Sequence, residues 1–247
     1  MSAVAILGAT GTIGRSLASR LVSSGQQVLL VGRSAEKLQS LSDELQQPFA
    51  VIDCTSSQSL IDALQQHEGQ LGGYSGLVNC IGSLWLKPIQ TTSDDDFRQV
   101  IETNLFTAFA TVRAAARVLR EQGGSVVLMS SAAAEVGLHN HEAIAAAKAG
   151  VIGLARSAAA SLSSYNVRVN CVSPGMTRTE MTRKIWENAA SEKASQEMHA
   201  LGRIGEPEHI ASMIAFLLDP ANDWITAQVI AVDGGLSSIQ PRRKMTV

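Results

Sequence analysis

Short apolar runs alternate with longer stretches of helical periodicity along the whole chain. The runs are AVAIL (3–7), QVLLV (27–31), FAVID (49–53), GLVNC (76–80), SVVLM (125–129), RVNCV (168–172) and VIAVD (229–233). Their length and Val/Ile/Leu content, with little polar alternation, fit strands covered on both faces in a parallel sheet. Helices are expected at about 14–24, 35–46, 57–67, 94–119, 144–162 and 206–218. Such alternation implies right-handed crossovers, so the expected fold is α/β, a doubly wound parallel sheet of about seven strands with helices on both faces. No linker, repeat or low-complexity tract divides the chain, and 1–247 reads as a single domain. The segment at about 176–205 breaks the alternation. It is polar, and it falls where a lid over the carboxyl end of the sheet would lie.

Composition narrows the picture. A chain of 247 residues with 45% hydrophobic content can bury a large core. The net charge of −2 gives no electrostatic footprint for nucleic acid or an anionic membrane. The basic cluster Arg242-Arg243-Lys244 reads as a solvated tail. No apolar run reaches the roughly 18 residues of a membrane span. The opening MSAVAILGATG has no charged leader and runs straight into a glycine turn, so it reads as mature structure. Cys54, Cys80 and Cys171 are scattered without metal-ligand spacing and fit small core residues of a reduced compartment. A cytoplasmic protein with no metal and neither a membrane nor a nucleic-acid partner is expected.

The first strand ends in GATGTIG. A strand-to-helix turn built on Gly8, Gly11 and Gly14 lets backbone N–H groups approach a pyrophosphate at a helix N-terminus. With Thr10, Thr12 and Ile13 this makes a Rossmann-type dinucleotide site. An acid at the end of the second strand would hold the ribose hydroxyls of NAD. Arg33 stands there instead, followed by Ser34. A cation and a hydroxyl suit a 2′-phosphate, so NADP(H) is preferred and NAD(H) remains possible.

Several further motifs occur in order. Asp53 and Cys54 follow strand three, VNCIG (78–82) carries Asn79, Ile81 and Gly82, and IETNL carries Asn104. LMSS ends in Ser131, AAAKAGV carries Lys148, and SPGMTRTEM (173–181) carries Pro174, Gly175 and Thr177. GRIGEPEHIASMIAFLL and VIAVDGG close the series. Over nearly its whole length the chain resembles the short-chain dehydrogenase/reductase family of the single-domain, roughly 250-residue kind. The resemblance implies that Asp53 contacts adenine and that VNCIG lies beside the cofactor. It further implies that Pro174-Gly175 walls the nicotinamide, with Thr177 at its carboxamide. Asn104, Ser131 and Lys148 would form the catalytic set, Lys148 also binding the nicotinamide ribose. The substrate would be a small carbonyl or alcohol, and the assembly a homodimer or homotetramer through the long helices before and after strand five.

Two departures stand out. Members of this length usually space the glycines Gly-x-x-x-Gly-x-Gly. Here Thr12 replaces the middle glycine and Gly11 comes one position earlier, as in longer, extended members. The family's catalytic tyrosine lies four residues before the lysine and thirteen after the serine, and that position is Ile144. The two tyrosines in the chain, Tyr74 and Tyr165, map elsewhere.

Isoleucine has no proton to give, and losing a positioned general acid costs about 10²–10⁴ in rate. Three readings follow. Another group donates the proton, His141 being the candidate because it lies seven residues before Lys148, two helical turns if the helix extends that far back. His139 and Glu142 are weaker candidates, and a water relayed through Asn104 and Lys148 is a further one. Alternatively, the substrate forms a stabilised oxyanion that rests on Ser131 and Lys148. In the third reading the protein is a non-catalytic NADP(H)-binding sensor or the inactive partner of a catalytic homologue.

Overall fold

Seven strands form one sheet in the computed structural model, which describes residues 2–240. The basic cluster at 242–244 lies outside the described residues. The strands are β1 (Ala3–Leu7), β2 (Val28–Gly32), β3 (Phe49–Val51), β4 (Tyr74–Asn79), β5 (Gly124–Met129), β6 (Val167–Pro174) and β7 (Val229–Val232). Every neighbouring pair is parallel, in the order β3-β2-β1-β4-β5-β6-β7. This is the expected doubly wound sheet. All five residues of β1 and all five of β2 are buried, as runs sandwiched between helical layers must be. β3 is shorter than its apolar run because Asp53 begins a turn, and Val51 is exposed.

The helices are α1 (Thr12–Ser23), α2 (Ala35–Leu45), α3 (Ser57–Leu71), α4 (Asp94–Ile101), α5 (Thr107–Val118), α6 (Glu142–Leu162), α7 (Arg183–Trp186), α8 (Ala189–Met198) and α9 (Pro207–Leu218). They cover both faces. Ala3, Ala5 and Leu7 of β1 point into a core shared with α3, α5 and α6. Val4 and Ile6 point the other way, into a core shared with α1, α2 and α9. In α9, Ile210, Ile214 and Leu217 are fully buried, each contributing about 1.5–3 kcal/mol of hydrophobic stabilisation.

Two differences from the sequence reading matter for the site. The long helix expected at 94–119 is split by a π-helical turn, Glu102–Phe106, between α4 and α5. Such a turn adds a residue to the spiral and re-aims the side chains on it, and Asn104 sits there, buried. The helical stretch Glu142–Tyr165 is also long and apolar enough, by length and composition, to cross a membrane. It is a core helix packed on β6. Its alanines and glycines raise the mean hydropathy without forming one continuous apolar run.

The segment at 176–205 folds as a cap. Thr179 and Thr182 close a reciprocal capping box, and α7 and α8 follow. Arg178 pairs with Glu192 and Glu206, and the Trp186 indole donates to the Thr179 carbonyl. The Glu180 N–H donates to the Thr12 hydroxyl at 3.1 Å, joining the cap to the glycine turn.

Candidate active site

Parallel pairing puts the carboxyl ends of all seven strands on one edge. β1 and β4 are neighbours at the point where the strand order reverses, and clefts at such points take ligands. Residues 8–14, 33–34, 53–54, 79–82, 130–131 and 174–177 all lie at or just beyond strand ends on that edge.

The glycine turn depends on two missing side chains. Gly8 has φ +77°, and a Cβ there would stand 3.1 Å from the Cys80–Ile81 backbone. A Cβ on Gly14 would meet the Gly8 carbonyl oxygen at 2.3 Å. The Gly11 N–H is spent inside the turn on that same carbonyl. α1 begins at Thr12 with no side-chain cap, so its first amides, those of Thr12, Ile13 and Gly14, find no acceptor within the helix. An uncapped helix start facing the switch point fits a pyrophosphate in charge and in donors. Arg33 is exposed and pairs with no carboxylate among the described residues. The Ser34 hydroxyl accepts from Lys37 N at 3.4 Å and caps α2. A groove of about 1180 Å³ is lined by Thr10, Thr12 and residues of α1 and α2, and Lys148 is not among its lining residues.

A second cluster forms where α6 meets β5. Lys148 is 6% exposed, and its Nζ donates to the Met129 carbonyl at 2.9 Å. The Ser130 hydroxyl donates to the Lys148 carbonyl at 3.1 Å. These two bonds pin α6 to the end of β5 within two residues of Ser131, whose own hydroxyl accepts from Ala133 N. A Cβ on Gly82 would lie 3.2 Å from Asn104 Oδ1 and 3.5 Å from Lys148 Nζ, so Asn104 and Lys148 converge on a position that glycine keeps open. Asn104 is locked by its neighbours, Oδ1 accepting from Ser83 N and Nδ2 donating to Ser83 Oγ and the Val100 carbonyl. Burial pulls the Lys148 ammonium down to about 8. Burial also pushes the nearby Cys80 thiol up to about 12.

Four singled-out residues have their polar groups engaged elsewhere. Asn79 turns its amide inward to Thr107 and Thr111 of α5, and its Oδ1 accepts from Ile81 N, so it shapes the loop from behind. The Cys54 thiol is buried in the core and raised to about 12 by burial, leaving only its main chain for a ligand. Asp53 accepts from the Thr55 amide and hydroxyl, which hold its carboxyl below the usual range. Thr177 is buried, its hydroxyl donating to the Gly175 carbonyl.

α6 starts at Glu142, one residue after His141, so the helix does not carry His141 onto the Lys148 face. The His141 Nδ1 lies 2.7 Å from the His139 carbonyl, which leaves Nε2 free. Ile144 is 4% exposed and belongs to a small apolar cluster with Val100, Ala143 and Ala147, against which Trp85 packs. The Trp85 indole N–H and the Ser173 hydroxyl are buried without a protein partner, both beside the carboxyl edge.

His199, which the sequence reading passed over, is buried beneath the turn that leaves β6. The signal available was weak: it is one of five histidines and stands in a segment otherwise polar and charged.

The family model described as Enoyl-(Acyl carrier protein) reductase matches residues 8–237. A tropinone reductase homolog of Arabidopsis thaliana is 32% identical over 239 residues, spanning 94% of this chain and 90% of that protein. The 3-oxoacyl-(acyl-carrier-protein) reductase FabG of Chlamydia pneumoniae is 30% identical, spanning 95% and 96%. Among solved structures, a short-chain type dehydrogenase/reductase from Mycobacterium ulcerans superposes with a TM-score of 0.90 at 31% identity, covering 97% of this chain and 91% of that one. The structure titled "ElxO with NADP Bound" superposes with a TM-score of 0.90 at 26% identity, covering 96% and 99%.

Proposed function

Since the chain belongs to the short-chain dehydrogenase/reductase family of oxidoreductases, we propose that it moves hydride between NADP(H) and a carbonyl or alcohol substrate without a tyrosine as proton donor. The observation that carries this reading is the convergence of Asn104 and Lys148 on Gly82, with α6 pinned beside Ser131. When bound, the dinucleotide supplies or accepts the hydride. The amides of Thr12, Ile13 and Gly14 hold its pyrophosphate, Arg33 its 2′-phosphate, and Lys148 its nicotinamide ribose. An NADP-bound relative supports the choice of cofactor.

Ser131 and the Lys148 cation hold the substrate oxygen. Charge placed there in a dry site stabilises an oxyanion without proton transfer. Ile144, at the position the family gives to tyrosine, contributes an apolar wall. The proton that the oxyanion finally takes comes through water from the imidazolium form of His141, whose Nδ1–H is held on the His139 carbonyl and whose Nε2–H is the donor. His141 precedes α6 and is not carried onto the Lys148 face, so the transfer runs through water rather than directly.

The packing of Ile144 with Val100, Ala143 and Ala147 favours a second reading, a non-catalytic NADP(H) sensor or inactive partner subunit, because the wall is built as wall. NADPH oxidation against a carbonyl panel, with native protein beside Ile144→Tyr, separates the two. Turnover by the native protein supports the catalyst, and His141→Ala then tests the donor. Silence from the native protein with turnover by Ile144→Tyr supports the binder. Silence from both, with no NADPH bound, sinks both readings.

Self-association belongs to the same proposal. Phe97, Phe106 and Phe109 are each more than 40% exposed along α4, the π turn and α5, and the rings of Phe106 and Phe109 pack at 5.7 Å. A homodimer or homotetramer buries them, and light scattering reads its mass. A cytoplasmic location completes the proposal.

A further inference from the structure

Among the described residues His199 is the one buried histidine. It follows α8 and reaches the turn that leaves β6. Its Nε2 lies 3.1 Å from the Met176 N–H, and its Nδ1 lies 2.6 Å from the Ser195 carbonyl oxygen. The partners fix the tautomer. A carbonyl only accepts, so Nδ1 carries the hydrogen, and an N–H only donates, so Nε2 must offer a lone pair. A second proton on the ring would set N–H against N–H and break the bond to Met176. The ring sits close against the turn because residue 175 is glycine: a Cβ there would stand 2.7 Å from Nε2 and 2.8 Å from Asp233 Cα.

The geometry points to His199 as a positioning residue, whose neutral ring fixes the Met176–Thr177 turn on the ligand edge and whose protonation frees that turn together with α8. The inference rests on reading that edge as the NADP(H) site. Three links pass through this turn: the Thr177–Gly205 bridge, the Thr182 hydroxyl on the Thr177 carbonyl, and the Glu180 amide on Thr12 of the glycine turn. Releasing Met176 therefore loosens the cap where it meets the pyrophosphate cradle.

The charged groups around the ring are few. Asp233, after β7, is electrostatically coupled to it, with its carboxylate occupied by the Gly235 amide and by the Ser237 amide and hydroxyl. Arg178, Glu192 and Glu206 pair among themselves. Lys193, Glu197 and Arg203 are exposed. His209, also exposed, accepts from Glu206 N.

The test compares NADPH affinity, by fluorescence, at pH 8 and pH 5.5 in native protein and in His199→Gln. The glutamine side-chain oxygen accepts from Met176 at every pH. The 2′-phosphate of NADPH itself titrates near pH 6, and that contribution is common to both proteins. We expect the native protein to lose about fivefold more affinity than His199→Gln between the two pH values, the equivalent of one neutral hydrogen bond. Without cofactor, hydrogen-exchange protection factors of the Met176 and Arg178 amides in native protein should fall by a similar factor between pH 8 and pH 5.5. Equal pH losses in the two proteins, or protection factors that do not change, overturn the proposal. If His199→Gln fails to fold, the protection factors in native protein decide alone. If neither protein binds NADPH at pH 8, the cofactor reading fails, while the protection factors still judge His199.

Discussion

Replacing Lys148 with methionine should make the cofactor-free protein more stable, and by an amount that shrinks as the pH rises. Lys148 is buried with no carboxylate partner, and its ammonium is pulled from 10.5 to about 8. At about 1.4 kcal/mol per unit, burying the charge costs about 3 kcal/mol at neutral pH. Below about pH 8 the lysine is charged in both folded and unfolded chains, and the whole cost is present. Between about 8 and 10.5 the folded lysine is neutral while the unfolded one still holds its proton, so native stability rises with pH through that window. Methionine keeps the length and removes the charge, but it leaves the Met129 carbonyl without its donor, a loss of about 1–2 kcal/mol. The net gain at pH 7 is about 1–2 kcal/mol, and a chain of this size melts roughly 2–4 °C higher per kcal/mol. Thermal melts of Lys148→Met and native protein at pH 7 and pH 10 measure the difference directly. A gain of several degrees at pH 7 that vanishes or reverses by pH 10 is expected, together with loss of NADPH binding. A pH-independent difference, or a variant that melts lower at pH 7, would refute the picture of a desolvated, unpaired ammonium.

Two further outcomes are expected. Arg33→Ala should weaken NADPH binding by about 10- to 100-fold, the equivalent of one charge-assisted contact, and leave NADH affinity unchanged; equal losses for both dinucleotides would move Arg33 off the 2′-phosphate, and no loss for either would place it in solvent. Burial holds Cys54 and Cys171 near 12, so at pH 8 only about one thiol in 10⁴ is ionised and a thiol reagent should label neither of these two until the protein unfolds. Rapid labelling of either in the folded protein at pH 8 would contradict that burial.

The strands were legible because fully covered strands read as uninterrupted apolar runs. Each of the seven runs overlaps an observed strand, and the largest boundary shifts fall where β4 begins early, β3 ends early and β6 ends late. The glycine turn was legible because a positive φ at Gly8 and the close approach at Gly14 leave glycine as the fitting residue. The π turn was not legible. ETNLF carries no local mark of an extra residue in the spiral, and the Ser83 partner that Asn104 meets there lies 21 residues away in the chain. Asn79 was read from its position beside a ligand loop, but Thr107 and Thr111, far along the chain, draw its amide inward. His199 escaped for the same reason: its partners Met176 and Asp233 come from other parts of the chain, and no spacing in the sequence joins them.

β7 sets an order on synthesis. The ribosome releases the chain from its N-terminus at about 5–20 residues per second, so 176–205 emerges before β7 and the turn after it. That late turn supplies the Gly234 carbonyl that accepts from Leu201 N, and the Asp233 backbone that backs Gly175. A nascent chain that has made six strands already holds its phosphate cradle and its lysine helix, while the cap has nothing behind it. The support behind the cap is therefore acquired last, and a premature stop just short of Val229 removes it while leaving the first six strands encoded.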